Sequence, residues 1–262
     1  MPELIEAEMY RRALDPLRGA EITSVELLDE AYVRPSGVST SDVHSIVGST
    51  LLSTRRHGKL VLLDLGHGSD RRSIGLHFGM TGRLFVDGAG PIDALVYSSE
   101  RKDEAWDRVR IHFGQHTLAV NDPRRLGALH LDPADDHLGP DAASITPAAL
   151  ERVVRGKTAA LKATLLNQRR IAGLGNLLGD EILWRASIRP DRESGQLSEQ
   201  EVEVLAHVIV ETIGELTARG GSHTGDTFEH RQLGGRCPRD DAEMHRLTVG
   251  GRTSWFCSAH QQ

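Results

Sequence analysis

A proline directly follows the initiator methionine. Once Met1 is removed, Pro2 is the only kind of chain terminus built on a secondary amine. Such an amine is nucleophilic when deprotonated, and with a sugar aldehyde it forms a cationic iminium that acidifies the neighbouring C–H. The plainer reading is helix punctuation, because proline is favoured in a first helical turn. Glu3 and Glu6 follow at once; they suit acid–base work, and equally a helix N-terminus that favours carboxylates. Further along, GLGNLLG (173–179) has the spacing G-x-G-x-x-x-G after the helix-like LKATLLNQRR. No strand precedes it, so a dinucleotide site is excluded. A tight turn between two helices, able to grip a phosphate through backbone amides beside Asn176, fits better. Near the end, Cys237 and Cys257 stand twenty residues apart, with Asp240 and His260 three residues after each.

The elements that must position these residues fall into three stretches. Residues 2–17 read as a helix, with Leu4, Ala7, Tyr10, Leu14 and Leu17 at helical spacing and Gly19 as its end. From residue 21 to 131 eight short segments alternate with Gly, Pro, Asp and Ser, which predicts an antiparallel sandwich or barrel: ITSVELL, STLLSTRR, KLVLLDL, SIGLHF, GRLFVD, DRVRIHF, HTLAVND and GALHL. Residues 132–145 read as a linker. Helices follow: one opening at Thr146-Pro147, LKATLLNQ, one after GLGN to about Arg185, and one from the capping box Ser198/Glu201 to Gly220-Gly221. The last forty residues read as loop and hairpin.

At 262 residues, 39% hydrophobic and 26% charged, the chain can bury a real core. No apolar run approaches 18 residues, no secretory signal opens the chain, and two cysteines are too few for a disulfide scaffold, so a cytoplasmic protein is expected. The net charge of −6 hides an asymmetry. The first fifty residues carry nine acids against four arginines, whereas residues 152–192 carry nine Lys/Arg against three acids. That local basic face is what phosphate binding needs.

Six segments occur in one order: MPEL-x-E, RRHGKLVLLDL (55–65), HFGMTGRL (77–84), NDPRRLGALHL (121–131), LKATLLNQRRIAGLGNLLGDEILWRASIRPDR (161–192) and CPRD…GGRTSWFC (237–257). Together they resemble the formamidopyrimidine-DNA glycosylase / endonuclease VIII family of base-excision repair enzymes. The resemblance implies an α+β multidomain fold: an N-terminal catalytic β-sandwich with a leading helix (1–131), the linker (132–145), a helix–two-turn–helix DNA-binding domain (146–221) and a zinc-finger-like β-hairpin (222–262).

It also implies an activity, a DNA glycosylase that is also an abasic-site lyase. Pro2 would attack C1′ of the damaged nucleotide, Glu3 would protonate the opening sugar ring, Glu6 would orient this pair, and Lys59 would be a catalytic lysine that also contacts phosphate. Met80 and Arg124 match residues that fill the hole left by a flipped base. Leu126 stands where the family has an aromatic wedge. Lys162, Asn176 and Arg252 match a phosphate clamp drawn from two domains. For zinc the family uses four cysteines, and Cys237, Asp240, Cys257 and His260 take those places here, with His245 an alternative to Asp240. Zinc is compatible with such a set; a hairpin that holds its shape without metal stays open. The short segment 220–237 leans towards oxidised pyrimidines or a permissive pocket. Damaged double-stranded DNA is the implied partner and a monomer the implied state. A relative that only binds damage, and an unrelated phosphate-binding protein, are the competing readings; intact Pro2, Glu3 and Lys59 count against the first and six ordered segments against the second.

Overall fold

The computed structural model describes residues 2–34, 39–92, 95–96 and 101–262; Met1, whose removal the amine chemistry requires, lies outside them. The chain divides into two compact units, Met1–Asp135 and Asp136–Gln262.

The first unit opens with α1 (Leu4–Ala13), two residues later than the sequence pattern predicts. Glu3 is its N-cap in an extended conformation, and the Glu3 N–H donates to Glu6 Oε2 at 2.8 Å. This is one arm of a capping box, and it leaves Pro2 ahead of the cap rather than inside the first turn. A 3₁₀ turn (Asp15–Leu17) completes the expected helical stretch. The strands are β1 (Ser24–Leu27), β2 (Val33–Arg34), β3 (Thr50–His57), β4 (Leu60–His67), β5 (Asp70–His77), β6 (Arg83–Val86), β7 (Asp107–Phe113), β8 (His116–Asn121) and β9 (Ala128–Leu131). A short helix, α2 (Thr40–His44), is capped by Ser39. One sheet runs β1-β7-β8-β6 and the other β2-β9-β5-β4-β3, and among the described residues the β2–β9 pair is parallel and the other pairs in these two sheets antiparallel.

Alternation explains the packing. Along β7, Val109, Ile111 and Phe113 are buried while the residues between them are half-exposed, as a strand with one face on a core requires. These meet Leu63, Leu65, Ile74 and Leu76 from the other sheet, with Tyr10, Leu14 and Leu17 from the leading segment, in one core. The unit is therefore a β-sandwich with α1 packed on β3 and β4.

The second unit contains α3 (Pro147–Val154), α4 (Leu161–Leu165), α5 (Asn176–Arg185), α6 (Glu199–Arg219) and the hairpin β10 (Met244–Val249)–β11 (Arg252–Cys257). Thr146 caps α3, accepting from the Ala149 N–H at 3.2 Å. Ser198 and Glu201 cap α6, which ends on Gly220 at φ 103°. Leu177 to Trp184 are all buried, so α5 is the centre of this unit. Between α4 and α5 the chain makes two turns held by one side chain: Gln168 Nε2 donates to the Leu166 and Leu174 carbonyls, and its Oε1 accepts from the Gly173 N–H, each at 2.9 Å.

Candidate active site and nucleic-acid-binding loops

Pro2, Glu3 and Glu6 are all buried, the two carboxylates at 1% and 3% exposure. One turn further on, Tyr10 packs against Phe78 with ring centroids 4.4 Å apart, and its hydroxyl donates to the Gly82 carbonyl at 3.2 Å. Burial first, and then the charge of Glu6, push its phenol well above the usual range, so it stays a neutral donor. The same helix that carries Pro2 is thereby tied to the turn that carries Met80.

Lys59 lies in the two-residue turn between β3 and β4, behind Gly58 at φ 58°. A left-handed glycine at the first central position suits a type II′ hairpin, whose twist matches the strands. Arg56 links this turn to α1: Nη1 donates to the Gly58 carbonyl at 2.8 Å, and Nε lies 3.4 Å from Glu8 Oε2. His77, paired with Leu60 in the β4–β5 register, stands beside Lys59. His77 is exposed at the surface, yet its pKa is lowered to about 4, first by desolvation of the ring within the surrounding protein and then by the charges of Lys59 and His130. It is a neutral ring at pH 7 next to a cation. Sequence reasoning missed His77, although it opens the HFGMTG segment.

Met80 sits half-buried in the turn between β5 and β6, and Arg124 and Leu126 are exposed on the loop between β8 and β9. The two loops touch through backbone. A Cβ on Gly79 (φ 56°) would lie 2.4 Å from the Leu126 carbonyl, so only glycine permits the approach. Asp122, fully buried, is the hub that sequence reasoning missed. Its Oδ1 accepts from Thr81 Oγ1 at 2.6 Å and its Oδ2 from the Leu126 and Gly127 N–H groups at 2.8 Å. Arg125, left-handed at φ 55°, turns away to pair with Asp29 at 2.6 Å, leaving its neighbours Arg124 and Leu126 outward.

In the second unit, Asn176 opens α5 behind the glycine turn, and its Oδ1 is buried with no hydrogen-bond partner among the described residues. Arg252 is exposed beside the β10–β11 turn, where Gly250 (φ 56°) and Gly251 (φ 73°) form a type I′ connection. Lys162 departs from the expected phosphate contact. Its side chain is fully buried, and Nζ donates to Asp180 Oδ1 (2.6 Å), the Thr253 carbonyl (3.0 Å) and Ser254 Oγ (2.7 Å). An ammonium has three donors, so these partners use all of them. Lys162 pins the hairpin to α4 and α5. Asp180 also accepts from Arg231 at 2.7 Å and from the Trp255 N–H at 3.2 Å.

Cys237, Asp240, Cys257 and His260 offer ligand atoms that all lie within 4.8 Å of one another. Cys257 Sγ is 3.4 Å from both Asp240 oxygens, and Cys237 Sγ is 3.8 Å from His260 Nδ1. Donors on a tetrahedral zinc ion stand roughly 3.3–3.8 Å apart, given bonds of about 2.0–2.3 Å. The two-thiolate, carboxylate and imidazole set therefore fits a divalent cation. Outer contacts support it: Trp184 Nε1–H donates to Cys237 Sγ at 3.3 Å, and the Cys257 N–H donates to Gln261 Oε1 at 2.8 Å. Burial pushes the Cys257 thiol up to about 11, which a bound cation would reverse. His245 is excluded from the cluster. It is exposed on β10, with its ring 5.7 Å from Phe256 across the hairpin.

Comparison with known proteins agrees with this layout. Residues 1–129 match the model of the formamidopyrimidine-DNA glycosylase N-terminal domain, and residues 138–227 that of the formamidopyrimidine-DNA glycosylase H2TH domain. The chain is 33% identical to the formamidopyrimidine-DNA glycosylases of Methylocella silvestris and Paracoccus denitrificans, over 100% of both chains in each case. Among solved structures it is similar to Lactococcus lactis Fpg in complex with DNA containing an abasic site (TM-score 0.82, 26% identity, 99% of each chain). It is also similar to the wild-type L. lactis protein bound to DNA containing an oxidised pyrimidine (TM-score 0.82, 27% identity, 100% of each chain). No described helix is long and apolar enough to cross a membrane.

Proposed function

The chain belongs to the formamidopyrimidine-DNA glycosylase family, and from that premise we propose that it is a bifunctional enzyme that excises oxidised bases and then cuts the abasic strand. The observation that carries this reading is the position of Pro2. It stands immediately before the N-cap of α1, outside the helical hydrogen-bond run, with buried Glu3 as its neighbour.

The neutral Pro2 nitrogen attacks C1′ of the damaged nucleotide, and the base leaves with the electron pair of the glycosidic bond. The Pro2 N–H proton passes to Glu3, which delivers it to the ring oxygen as the sugar opens, leaving an iminium between Pro2 and C1′, while the expelled base takes its proton from water. That cation acidifies the C2′–H, whose loss expels the 3′ phosphate; a second elimination releases the 5′ phosphate. Glu6 fixes the Glu3 backbone through its 2.8 Å hydrogen bond. Lys59 and neutral His77 hold phosphate beside the site, while Met80, Arg124 and Leu126 occupy the space of the extruded nucleotide. In the second unit Asn176 and Arg252 grip the backbone, with Lys162 acting through the hairpin it pins. Cys237, Asp240, Cys257 and His260 would hold zinc, which would cross-link the base of the hairpin and supply no group to the reaction.

The short 220–237 segment supports a preference for oxidised pyrimidines or a broad range, and Leu126 in place of an aromatic wedge bears on recognition of the base opposite the lesion. The test is borohydride trapping on an oligonucleotide containing one abasic site. A covalent adduct is expected with the native protein and none with Pro2→Gly; equal trapping by both, or none by either, overturns the mechanism and leaves a damage-binding protein. Excision of thymine glycol at a rate equal to or above that of 8-oxoguanine is the expected order of substrates.

A further inference from the structure

A hollow of about 390 Å³ in the second unit lies away from the Asn176 and Arg252 side chains and is lined by Pro140, Ala149, Arg152, Val153, Lys157, Arg169 and Arg170. Four of these seven residues are cations and none is an acid. They come from two places: Arg152 from α3 and Lys157 from just beyond it, Arg169 and Arg170 from the first of the two turns between α4 and α5. The neighbouring acid on α3, Glu151, is taken by Arg155, outside the lining.

The wall is built rather than incidental. The Gly139 N–H donates to the Gln168 carbonyl at 2.9 Å, and the Ala172 N–H donates to the Pro140 carbonyl at 3.0 Å. A Cβ at Gly139 would meet the Arg170 carbonyl at 2.3 Å, so the two segments are pressed together at that point. Arg170 Nη1 is buried there with no hydrogen-bond partner among the described residues. A buried guanidinium donor left without an acceptor is costly, and the group that satisfies it best is an oxyanion able to accept several N–H groups at once. With apolar Pro140, Ala149 and Val153, the four cations are the only polar side chains among the described residues that line the hollow.

We propose that this hollow is a second phosphate-binding site, separate from the Asn176/Arg252 pair, whose occupant is a tetrahedral phosphate borne either by the DNA backbone or by a free phosphate compound. Three guanidinium groups and an ammonium lining one volume suit a phosphate dianion better than a single carboxylate.

The experiment uses the full chain with Arg152→Gln and Arg169→Gln/Arg170→Gln, each checked for an unchanged melting temperature. Arg152 is exposed on α3, so its replacement leaves the fold intact. Inorganic phosphate and pyrophosphate are titrated calorimetrically, and binding of an undamaged duplex is measured across a salt series. A DNA source is expected to show as at least a threefold loss of duplex affinity at 100 mM salt, with the slope of log K against log salt falling by about 0.9 for each phosphate no longer neutralised. A free-phosphate source shows as saturable phosphate or pyrophosphate binding to the native chain, weakened at least fivefold in the variants, with the duplex slope unchanged. The proposal is overturned if neither duplex affinity nor anion binding differs between native and variant proteins. Borohydride trapping at the abasic site is expected to survive in all of them, which separates failure here from failure of the Pro2 mechanism.

Discussion

The two units each present a cation at a tight glycine turn of a β-hairpin, and they hold it still by opposite means. In the first, Gly58-Lys59 caps strands whose inner faces belong to a large apolar core, and Arg56 adds one polar tether from the turn to α1. In the second, Gly250-Gly251 and Arg252 cap a two-stranded hairpin whose Met244, Trp255 and Cys257 join a much smaller apolar cluster with Trp184. To that packing it adds the buried ion pairs of Asp180 with Lys162 and Arg231, and the Cys/Asp/Cys/His cluster at its base. A wide sheet can position a functional side chain by burial alone. A two-stranded ribbon is marginal in water and needs pins.

The sharpest way to break this contrast is Lys162→Met. It leaves Asp180, 2% exposed, with its Lys162 partner gone and only the Arg231 guanidinium and the Trp255 N–H still donating to it among the described residues. Removing one partner of a buried pair costs about 3–5 kcal/mol, so urea unfolding of the second unit should shift by that amount, with hydrogen-exchange protection lost in β10–β11 and kept in β3–β4. A loss below about 1 kcal/mol would mean that the hairpin does not depend on its ionic pin. Asp122→Ala attacks the first unit's own polar hub. It strands the Leu126 and Gly127 N–H groups and the Thr81 hydroxyl, for an expected cost of about 1–3 kcal/mol by denaturant titration and a weaker grip on abasic DNA.

Trp184→Phe keeps an aromatic ring but removes the N–H donated to Cys237 Sγ. Such outer partners are worth about 10–100-fold in metal affinity, which competition against a chromophoric chelator would read, and Lys59-dependent steps should not change. The smallest expected effect is a titration. His77 should remain neutral until pH falls to about 4, and Lys59→Met should raise that pKa in an NMR titration of the ring. Because the folded value lies below the unfolded one of about 6.5, the unfolded chain binds more protons between them. Stability is therefore full above about pH 6.5 and is lost as pH falls through 4. A His77 titrating near 6.5 in both proteins would remove Lys59 from its side.

Much of this architecture is legible in one dimension. All eight strand segments read from turn punctuation contain strands, because Gly, Pro and Asp mark places where a ladder must stop. The capping box at Ser198/Glu201 and the spacing of Asp240 and His260 behind the two cysteines are likewise local patterns. What stays hidden depends on partners distant in the chain. Lys162 carries the same charge whether it meets solvent or Asp180, Thr253 and Ser254, and nothing near position 162 tells these apart. Asp122 reads as a turn residue in NDPRR until its other partner, Thr81, is brought in from forty-one residues away. The start of α1 differs from the pattern for a smaller reason: proline suits both the first turn and the residue before the cap, and the reciprocal Glu3–Glu6 contact decides between them. Short elements such as β2 and α2 carry too few residues for any periodicity to register.

The glycine contact between the Met80 turn and the Leu126 loop has a thermodynamic consequence. Two separate loops would each lose conformational freedom on entering a duplex, and that loss would be subtracted from affinity at every encounter. Here Gly79 lies against the Leu126 backbone, and Asp122 binds Thr81 together with the Leu126 and Gly127 amides. The ordering is completed when the protein folds. If these loops form the wedge proposed above, they would meet DNA as one stiff body, and a mismatch of fit would fall on the more deformable partner, the duplex, most cheaply where a lesion has already weakened its stacking.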